Sequence, residues 1–168
     1  MRRRAESTRK VRSDKKRDVQ PFLSLKLKQQ LFRFSFLCRE PLKDTAERLC
    51  VEGSMSTLIF DDIQPFFRRN LSIHNHHYFG DLNHPRLNII QLNPEKITIR
   101  FTQQDYEALA NVAYVLDLPK NQTAAVLIKR TLNNQLFMDQ YVQSHLNYLT
   151  PKEKINVELF LRTVWGYR

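Results

Sequence analysis

The segment from residue 96 to residue 134 constrains the fold more than any other part of the chain. It opens with Ile97, Ile99 and Phe101, which alternate with polar residues. The side chains of a strand point alternately to its two faces, so this pattern predicts a strand with one apolar face. A helix with an apolar stripe is expected to follow directly, with Thr102 as its N-cap residue.

Pro119 predicts the end of that first helix, because the residue before a proline is biased away from α geometry. A second amphipathic helix is expected after it, capped by Asn121 and apolar at helical spacing through Leu132. One strand alone leaves two unpaired edges, and about forty residues rarely bury enough apolar surface to fold. The segment therefore needs a partner strand and interlocked helices.

This order of one strand and two helices resembles the ribbon-helix-helix unit, the DNA-binding fold of the MetJ/Arc superfamily. The resemblance covers residues 96–134 and depends on element order, length and alternation. In that family a two-stranded antiparallel ribbon enters the major groove, and the start of the second helix binds a phosphate. The base contacts that the resemblance implies are Lys96, Thr98, Arg100 and Thr102. The phosphate contacts that it implies are Lys120, Asn121 and Gln122.

Alternation recurs over residues 21–37, where leucines and then phenylalanines alternate with polar residues. This pattern predicts two short strands, the second with the rings of Phe32, Phe34 and Phe36 buried. A helix ending at Gly53 is expected next, followed by another helix. The first half of the chain therefore repeats the order of the second, in an alignment that sets Phe36 against Ile99, Ala46 against Ala110 and Thr57 against Thr123.

We expect two ribbon-helix-helix units in tandem, whose strands pair within the chain, as in some plasmid relaxosome accessory proteins of the superfamily. The alternative is a homodimer of the 96–134 units, with residues 21–70 as an added domain. The residues that the tandem arrangement adds to the site are Arg33 and Ser35 for bases, and Ser54 and Ser56 for a phosphate.

The predicted fold class is therefore mainly α with short β-strands. We expect five segments in order: a basic arm (residues 1–20), a first strand–helix–helix unit (21–70), a linker (71–95), the ribbon-helix-helix unit (96–134) and a C-terminal helical extension (135–168). The last helix begins with a predicted capping box of Thr150 and Glu153. It is apolar on nearly all sides, which predicts that it is covered either by self-association, as a homodimer or a dimer of tandem pseudo-dimers, or by packing across the tandem units.

The charge balance favours a polyanionic partner, because the formal net charge is +10 and the sequence pI is near 9.9. Residues 1–18 hold nine Lys or Arg against three acids. Such a segment is expected to stay flexible and to bind nucleic acid without sequence preference. The alternatives are a solubilising tail or, in a eukaryotic source, a localisation signal. Its assigned phosphate contacts are Arg2, Arg3, Arg4, Arg9 and Lys10.

Other classes of function are disfavoured. The chain has no glycine-rich phosphate loop and no nucleophile paired with a base at motif spacing, so an enzyme is not expected. The histidines of residues 74–84 match no zinc-ligand pattern, so neither metal nor cofactor is expected. No apolar run is long enough to predict a membrane span. Cys38 and Cys50 are expected to be buried thiols in a reducing compartment, the cytoplasm near the nucleoid.

The sequence thus predicts a sequence-specific binder of double-stranded DNA, as a transcriptional repressor, a plasmid or mobile-element regulator or a relaxosome accessory factor. Two alternatives remain open. An RNA-binding or ribosome-associated module would use the basic arm as a clamp and the three phenylalanines of residues 32–36 as a stacking platform. A structural adaptor would instead assemble through the C-terminal helices.

Overall fold

The computed structural model describes residues 15–89 and 91–166 of the chain. Within these residues the chain is mainly helical with short antiparallel strands, which confirms the predicted fold class at that level. The strands are β1 (Arg17–Val19), β2 (Phe22–Leu23), β3 (Leu71–Ile73), β4 (His76–Tyr78), β5 (Glu95–Lys96) and β6 (Ile99–Phe101). The helices are α1 (Leu25–Leu37), α2 (Leu42–Gly53), α3 (Thr57–Ile63), α4 (Gln103–Leu116), α5 (Lys120–Asn133), α6 (Gln135–His145) and α7 (Pro151–Val164).

Strands from the two halves of the chain form one antiparallel ribbon. β1 pairs with β6 and β2 pairs with β5, in one continuous register that sets Val19 opposite Ile99. The ribbon is interrupted near Pro21, because proline has no N–H to donate to the ladder. Its carbonyl still accepts a hydrogen bond from the N–H of Ile97 at 3.1 Å. The two short sheets are therefore a single ribbon with one local break.

The two halves repeat one order of elements at a constant spacing. Helices α1 and α4 begin at Leu25 and Gln103, helices α2 and α5 at Leu42 and Lys120, and helices α3 and α6 at Thr57 and Gln135. The alignment expected from the sequence, which set Ala46 against Ala110, is therefore wrong. The residues around α2 and α5 that are identical in the observed alignment are Pro41 and Pro119, Thr45 and Thr123, Ala46 and Ala124, and Leu49 and Leu127.

The expected alignment fails because residues 25–37, where alternation predicts strands, form helix α1. Ser24 is the N-cap residue of this helix, and its hydroxyl accepts a hydrogen bond from the N–H of Leu27 at 3.2 Å. The buried side chains recur at helical spacing, and they are Leu27, Leu31, Phe34 and Ser35. A helix with apolar residues on two sides imitates a period of two over a short window.

The strand of the first half lies earlier, over residues 17–23. Val19, Pro21 and Leu23 are buried, and the residues between them are exposed. Residues 17–20 were expected in the basic arm, yet they start the ribbon. They shortly precede the N-cap residue Ser24, as the second strand precedes the N-cap residue Thr102.

Helices α2 and α5 pack against each other at the centre of the fold, beneath the ribbon. The thiol of Cys50 lies 3.6 Å from the carbonyl oxygen of Ala124. A Cβ atom on Gly53 would lie 2.8 Å from Cγ2 of Thr131, so glycine permits the close approach. Helix α1 packs on α2 as α4 packs on α5, which places one continuous core under both strands.

The remaining segments cover the ends of this core. The expected linker, residues 71–95, contains the β3–β4 hairpin and the first residue of strand β5. Tyr78 of the hairpin packs edge-on against the rings of Phe60 and Phe67. Helix α7 packs on α1. It begins with the predicted capping box, in which Thr150 and Glu153 exchange side-chain and backbone hydrogen bonds.

Both cysteines are buried and free, as the sequence predicts. Burial raises the pKa of the Cys38 thiol to about 12 and also raises that of Cys50. Neither thiol is therefore poised as a nucleophile. Among the described residues, no helix combines the length and the apolar character that crossing a membrane requires.

Candidate nucleic-acid interface

The outer face of the ribbon carries the polar side chains of the second strand. Arg100 is 70% exposed, Lys96 and Thr102 are exposed, and Thr98 is half-buried. The side chains buried beneath them are Ile97, Ile99 and Phe101, at 6%, 0% and 1% exposure. Four of the six residues assigned to base contacts therefore lie along one outward face. The hydroxyl of Thr102 is already engaged as the cap of α4.

The first strand contributes three further outward side chains that the sequence reasoning missed. Asp18, Gln20 and Phe22 are exposed and face outward beside those of the second strand. Arg100 Nε lies 3.4 Å from Asp18 Oδ1 across the ribbon. The signal that could have found them is the short alternation of residues 19–23 immediately before a capping serine.

One end of the ribbon is strongly basic. It opens into a groove of about 680 Å³ lined by Lys15, Lys16, Arg17, Asp18, Arg100 and Tyr106. The Arg17 guanidinium and the Lys120 ammonium lie 5.5 and 5.2 Å from the centroid of the Tyr106 ring. Cation–π attraction therefore holds a charge from the ribbon and a charge from α5 on the same ring. We call this end of the ribbon the Arg100 end.

The opposite end of the ribbon is less charged. Phe22 is 46% exposed there, next to Lys96 on the other strand. Lys28 of α1 forms an ion pair with Glu95, which offsets its charge. The side-chain amide of Gln91 donates a hydrogen bond to the carbonyl of Phe22. We call this end the Phe22 end.

The start of helix α5 is suited to an anion. Its N-cap residue is Pro119, which makes no side-chain capping bond, and the first turn holds no acid. The first N–H groups of a helix have no partner within it, and they favour negative charge. The residues of this first turn are Lys120, Asn121 and Gln122, so Asn121 lies inside the helix and is not its cap. Helix α2 also begins after a proline, but Asp44 lies in its first turn.

Three arginines surround the residue that joins α4 to α5. Asp117 has a left-handed backbone with a φ of 57°. Its carboxylate oxygens lie 3.3 Å from Arg68, 3.4 Å from Arg69 and 2.6 Å from Arg86. The hydrogen bond from Arg86 lowers the pKa of Asp117 below its ordinary value. The cluster therefore keeps a positive excess beside the start of α5.

Arg33 and Ser35, which were assigned to base contacts, are not on the ribbon. Both belong to α1, because the residues around them form a helix and not a strand. Ser35 is 2% exposed, and its hydroxyl donates to the carbonyl of Phe32 at 2.8 Å. The Arg33 guanidinium lies 5.7 Å from the ring centroid of Phe160 on α7. Their predicted place on the ribbon is therefore wrong.

Ser54 and Ser56, which were assigned to a phosphate, do not begin the second helix of their unit. That helix is α2, which begins at Leu42. Ser54 lies at its far end, is 2% exposed, and donates from its hydroxyl to the carbonyl of Val51. Ser56 precedes α3 and makes no side-chain cap. The wrong alignment of the two halves produced both assignments.

Part of the predicted site falls on the basic arm. The arm residues Arg2, Arg3, Arg4, Arg9 and Lys10 lie outside the described residues. Within residues 15–89 and 91–166, no group of three or more His, Cys, Asp or Glu is arranged to hold a metal ion. Comparisons of the chain with protein-family models, with curated proteins and with solved structures found no match.

Proposed function

We propose that this chain binds double-stranded DNA in a sequence-specific manner through a ribbon-helix-helix pseudo-dimer made of its own two halves. The observation that carries the proposal is the antiparallel ribbon, with one face buried on α2 and α5 and the other exposed and polar apart from Phe22. The major groove admits a two-stranded β-ribbon, and base edges there carry a distinct pattern of donors and acceptors. Such binding suits a repressor, a plasmid regulator or a relaxosome accessory factor.

Arg100 is the proposed principal reader of bases. Its guanidinium is 70% exposed on the outer face, and the planar fork of arginine matches O6 and N7 of guanine. Lys96 and Thr98 share this face, so they would contact neighbouring base pairs. Thr102 stands at the margin, where its hydroxyl caps α4. We assign it to backbone positioning.

Phosphate binding is assigned to the start of α5. The uncapped first turn and the Lys120 ammonium present donors and positive charge beside the Arg100 end of the ribbon. The net charge of +10 supports the same kind of partner. Phosphate contacts set the orientation of the protein on the duplex, and base contacts supply the sequence preference.

The direct experiment measures affinity by fluorescence anisotropy for duplex DNA, single-stranded DNA and RNA at two salt concentrations. The duplex, carrying a site selected from a random pool, is expected to bind most tightly. Arg100→Ala should remove about 1–3 kcal/mol of discrimination at one base pair. Arg162→Ala, which removes the same charge from α7, should leave the discrimination unchanged.

Lys120→Ala tests the phosphate assignment separately. It should weaken binding to all duplexes alike and reduce the salt slope by about 0.9. Equal affinity for duplex, single strand and RNA would refute the proposal, and tighter binding of RNA than of either DNA would favour the RNA-binding alternative. Phe32 and Phe36 are exposed on α1, yet Phe34 is fully buried, so a platform of three stacking rings is not formed.

Self-association is proposed from the exposed apolar side chains of α1 and α7. Phe32 and Phe36 are 60% and 71% exposed, and Ile155 and Leu159 are 54% and 53% exposed. Burying such side chains between copies would remove apolar area from water. Light scattering of the full chain tests this point, and a monomer at all concentrations would refute it without affecting DNA binding.

A further inference from the structure

The outer face of the ribbon is not symmetric, although the backbone that presents it is. The alignment that matches Ser24 with Thr102 also makes Asp18 equivalent to Lys96, Gln20 to Thr98 and Phe22 to Arg100. The register of the strands places Gln20 beside Thr98, midway along the ribbon. The pseudo-twofold axis that relates the two halves therefore passes between two unlike residues, Gln20 and Thr98. All three equivalent pairs differ in charge or in the kind of side chain.

The two ends consequently offer different chemistry to a base pair. At the Arg100 end, a guanidinium and a carboxylate lie 3.4 Å apart and are 70% and 51% exposed. Arginine matches guanine O6 and N7, and aspartate accepts from the N4 amine of cytosine, so this pair suits G·C. An ion pair this exposed adds little stability, which leaves both groups available to a ligand.

At the Phe22 end, the outward pair is a phenyl ring and an ammonium. Phe22 is 46% exposed on a face that is otherwise polar. Leaving such a ring in water is unfavourable, and an apolar side chain in the major groove contacts the methyl group of thymine. Lys96, opposite Phe22, adds charge without an acidic neighbour across the ribbon.

The two helix starts that flank the ribbon also differ in charge. The first turn of α5 holds Lys120 and no acid, whereas the first turn of α2 holds Asp44. Lys120 shares the Tyr106 ring with Arg17 of the ribbon, so the stronger phosphate contact is expected at the Arg100 end. The guanidinium proposed to read bases and the helix start proposed to bind phosphate therefore both lie at the Arg100 end of the ribbon.

We propose that this chain recognises a non-palindromic duplex site in one orientation, with Asp18 and Arg100 on a G·C pair and Phe22 on a thymine methyl group. The inference rests on the proposed DNA binding and adds the asymmetry of the site. Phe22 and Asp18 thereby become determinants of specificity on the strand that the sequence pattern did not reveal.

The test selects bound sites from a random duplex pool with the full chain and with three variants. Phe22→Ala should relax the preference at one end of the recovered site, by about the fourfold that one methyl contact supplies. Arg100→Ala should relax the preference at the other end by about 5- to 150-fold at one base pair. Phe79→Ala removes a ring that is 74% exposed and off the ribbon, so the recovered site should not change.

A chemical substitution in the DNA makes the Phe22 assignment specific. Replacing the thymine at the Phe22-dependent position by deoxyuridine removes one methyl group, which should weaken binding about fourfold. The same substitution should have no effect on Phe22→Ala. Because Phe22 is 46% exposed and lies outside the core, the variant is expected to remain folded, and thermal unfolding beside the parent chain checks this.

The outcomes separate the two proposals. A palindromic consensus, or a methyl effect that persists in Phe22→Ala, would refute the asymmetric site while leaving duplex binding intact. Relaxation of the same position by both Phe22→Ala and Arg100→Ala would also refute it. Failure of the parent chain to enrich any duplex would refute the DNA-binding proposal itself, and the asymmetric site with it.

Discussion

The two halves of this chain have the same backbone arrangement but different exposed side chains. The turns after α1 and α4 both contain a left-handed residue at equivalent positions, Arg39 with a φ of 55° and Asp117 with a φ of 57°. Arg39 lies 3.5 Å from Glu153 of α7, whereas Asp117 is surrounded by three arginines. The equivalent positions retain the turn and differ in the charges around it. Burial determines the fold of each half, and the exposed positions are free to diverge.

The largest expected effect comes from the buried leucines that the halves have in common. Leu49 and Leu127 are both fully buried at equivalent positions of α2 and α5. Replacing either by alanine should lower the free energy of unfolding by about 2–5 kcal/mol, because each leaves a cavity in the same core. Denaturant unfolding of the two variants should show one transition with similar losses.

Leu136→Ala is the matched control, since Leu136 is 64% exposed and its loss should be small. Two separate transitions, or a large loss for only one of the two buried leucines, would contradict a core shared by both halves.

A smaller loss of stability is expected where two equivalent residues, one from each half, meet across the pseudo-twofold axis. Gly53 and Thr131 are equivalent, and a Cβ on Gly53 would lie 2.8 Å from the Thr131 methyl group. Gly53→Ala should therefore cost about 1–3 kcal/mol by overpacking two buried helices. Adding Thr131→Ser removes the methyl group and should recover much of that loss in a thermal unfolding assay. An equal loss with and without Thr131→Ser would show that the two helices do not meet there.

The smallest expected effect is a change in the pKa of Asp117, the left-handed residue in the turn after α4. The pKa of Asp117 lies below its ordinary value of 3.8 because Arg86 donates a hydrogen bond to its carboxylate. Its contribution to stability is present above that value and is lost as the pH falls through the lowered pKa. Arg86→Gln should raise the pKa of Asp117 in a carboxyl NMR titration, and Arg162→Gln should leave it unchanged. An unaltered titration in Arg86→Gln would remove the assigned cause.

The sequence predicts the second half well, because its local signals agree with its tertiary role. Alternation, the Thr102 cap and the proline break all match the structure of residues 97–119. In the first half those signals disagree. Helix α1 exposes Phe32 and Phe36 on the side away from the core, so its pattern resembles a strand. The true strand is short, contains Pro21 and follows a highly charged segment, so its alternation is weak.

The candidate site, like the fold, can be predicted from the sequence in its second strand but not in its first. Residues 96, 98 and 100 could be placed on an outward face from alternation alone, since strand geometry requires it. The partners Asp18, Gln20 and Phe22 could not, because the pairing of strands so distant in the sequence is determined by the packing of α2 on α5. The three arginines on Asp117 come from a segment with no local pattern, and only tertiary structure brings them together.

The measurement that tests the central claim most directly is a backbone NMR titration of the ¹⁵N-labelled full chain with a selected duplex. We predict that the largest shift changes occur at Gln20, Thr98 and Arg100 on the ribbon and at the first turn of α5, with α7 little affected. Changes confined to α1 and α7, with the ribbon resonances unmoved, would contradict binding of DNA through the ribbon.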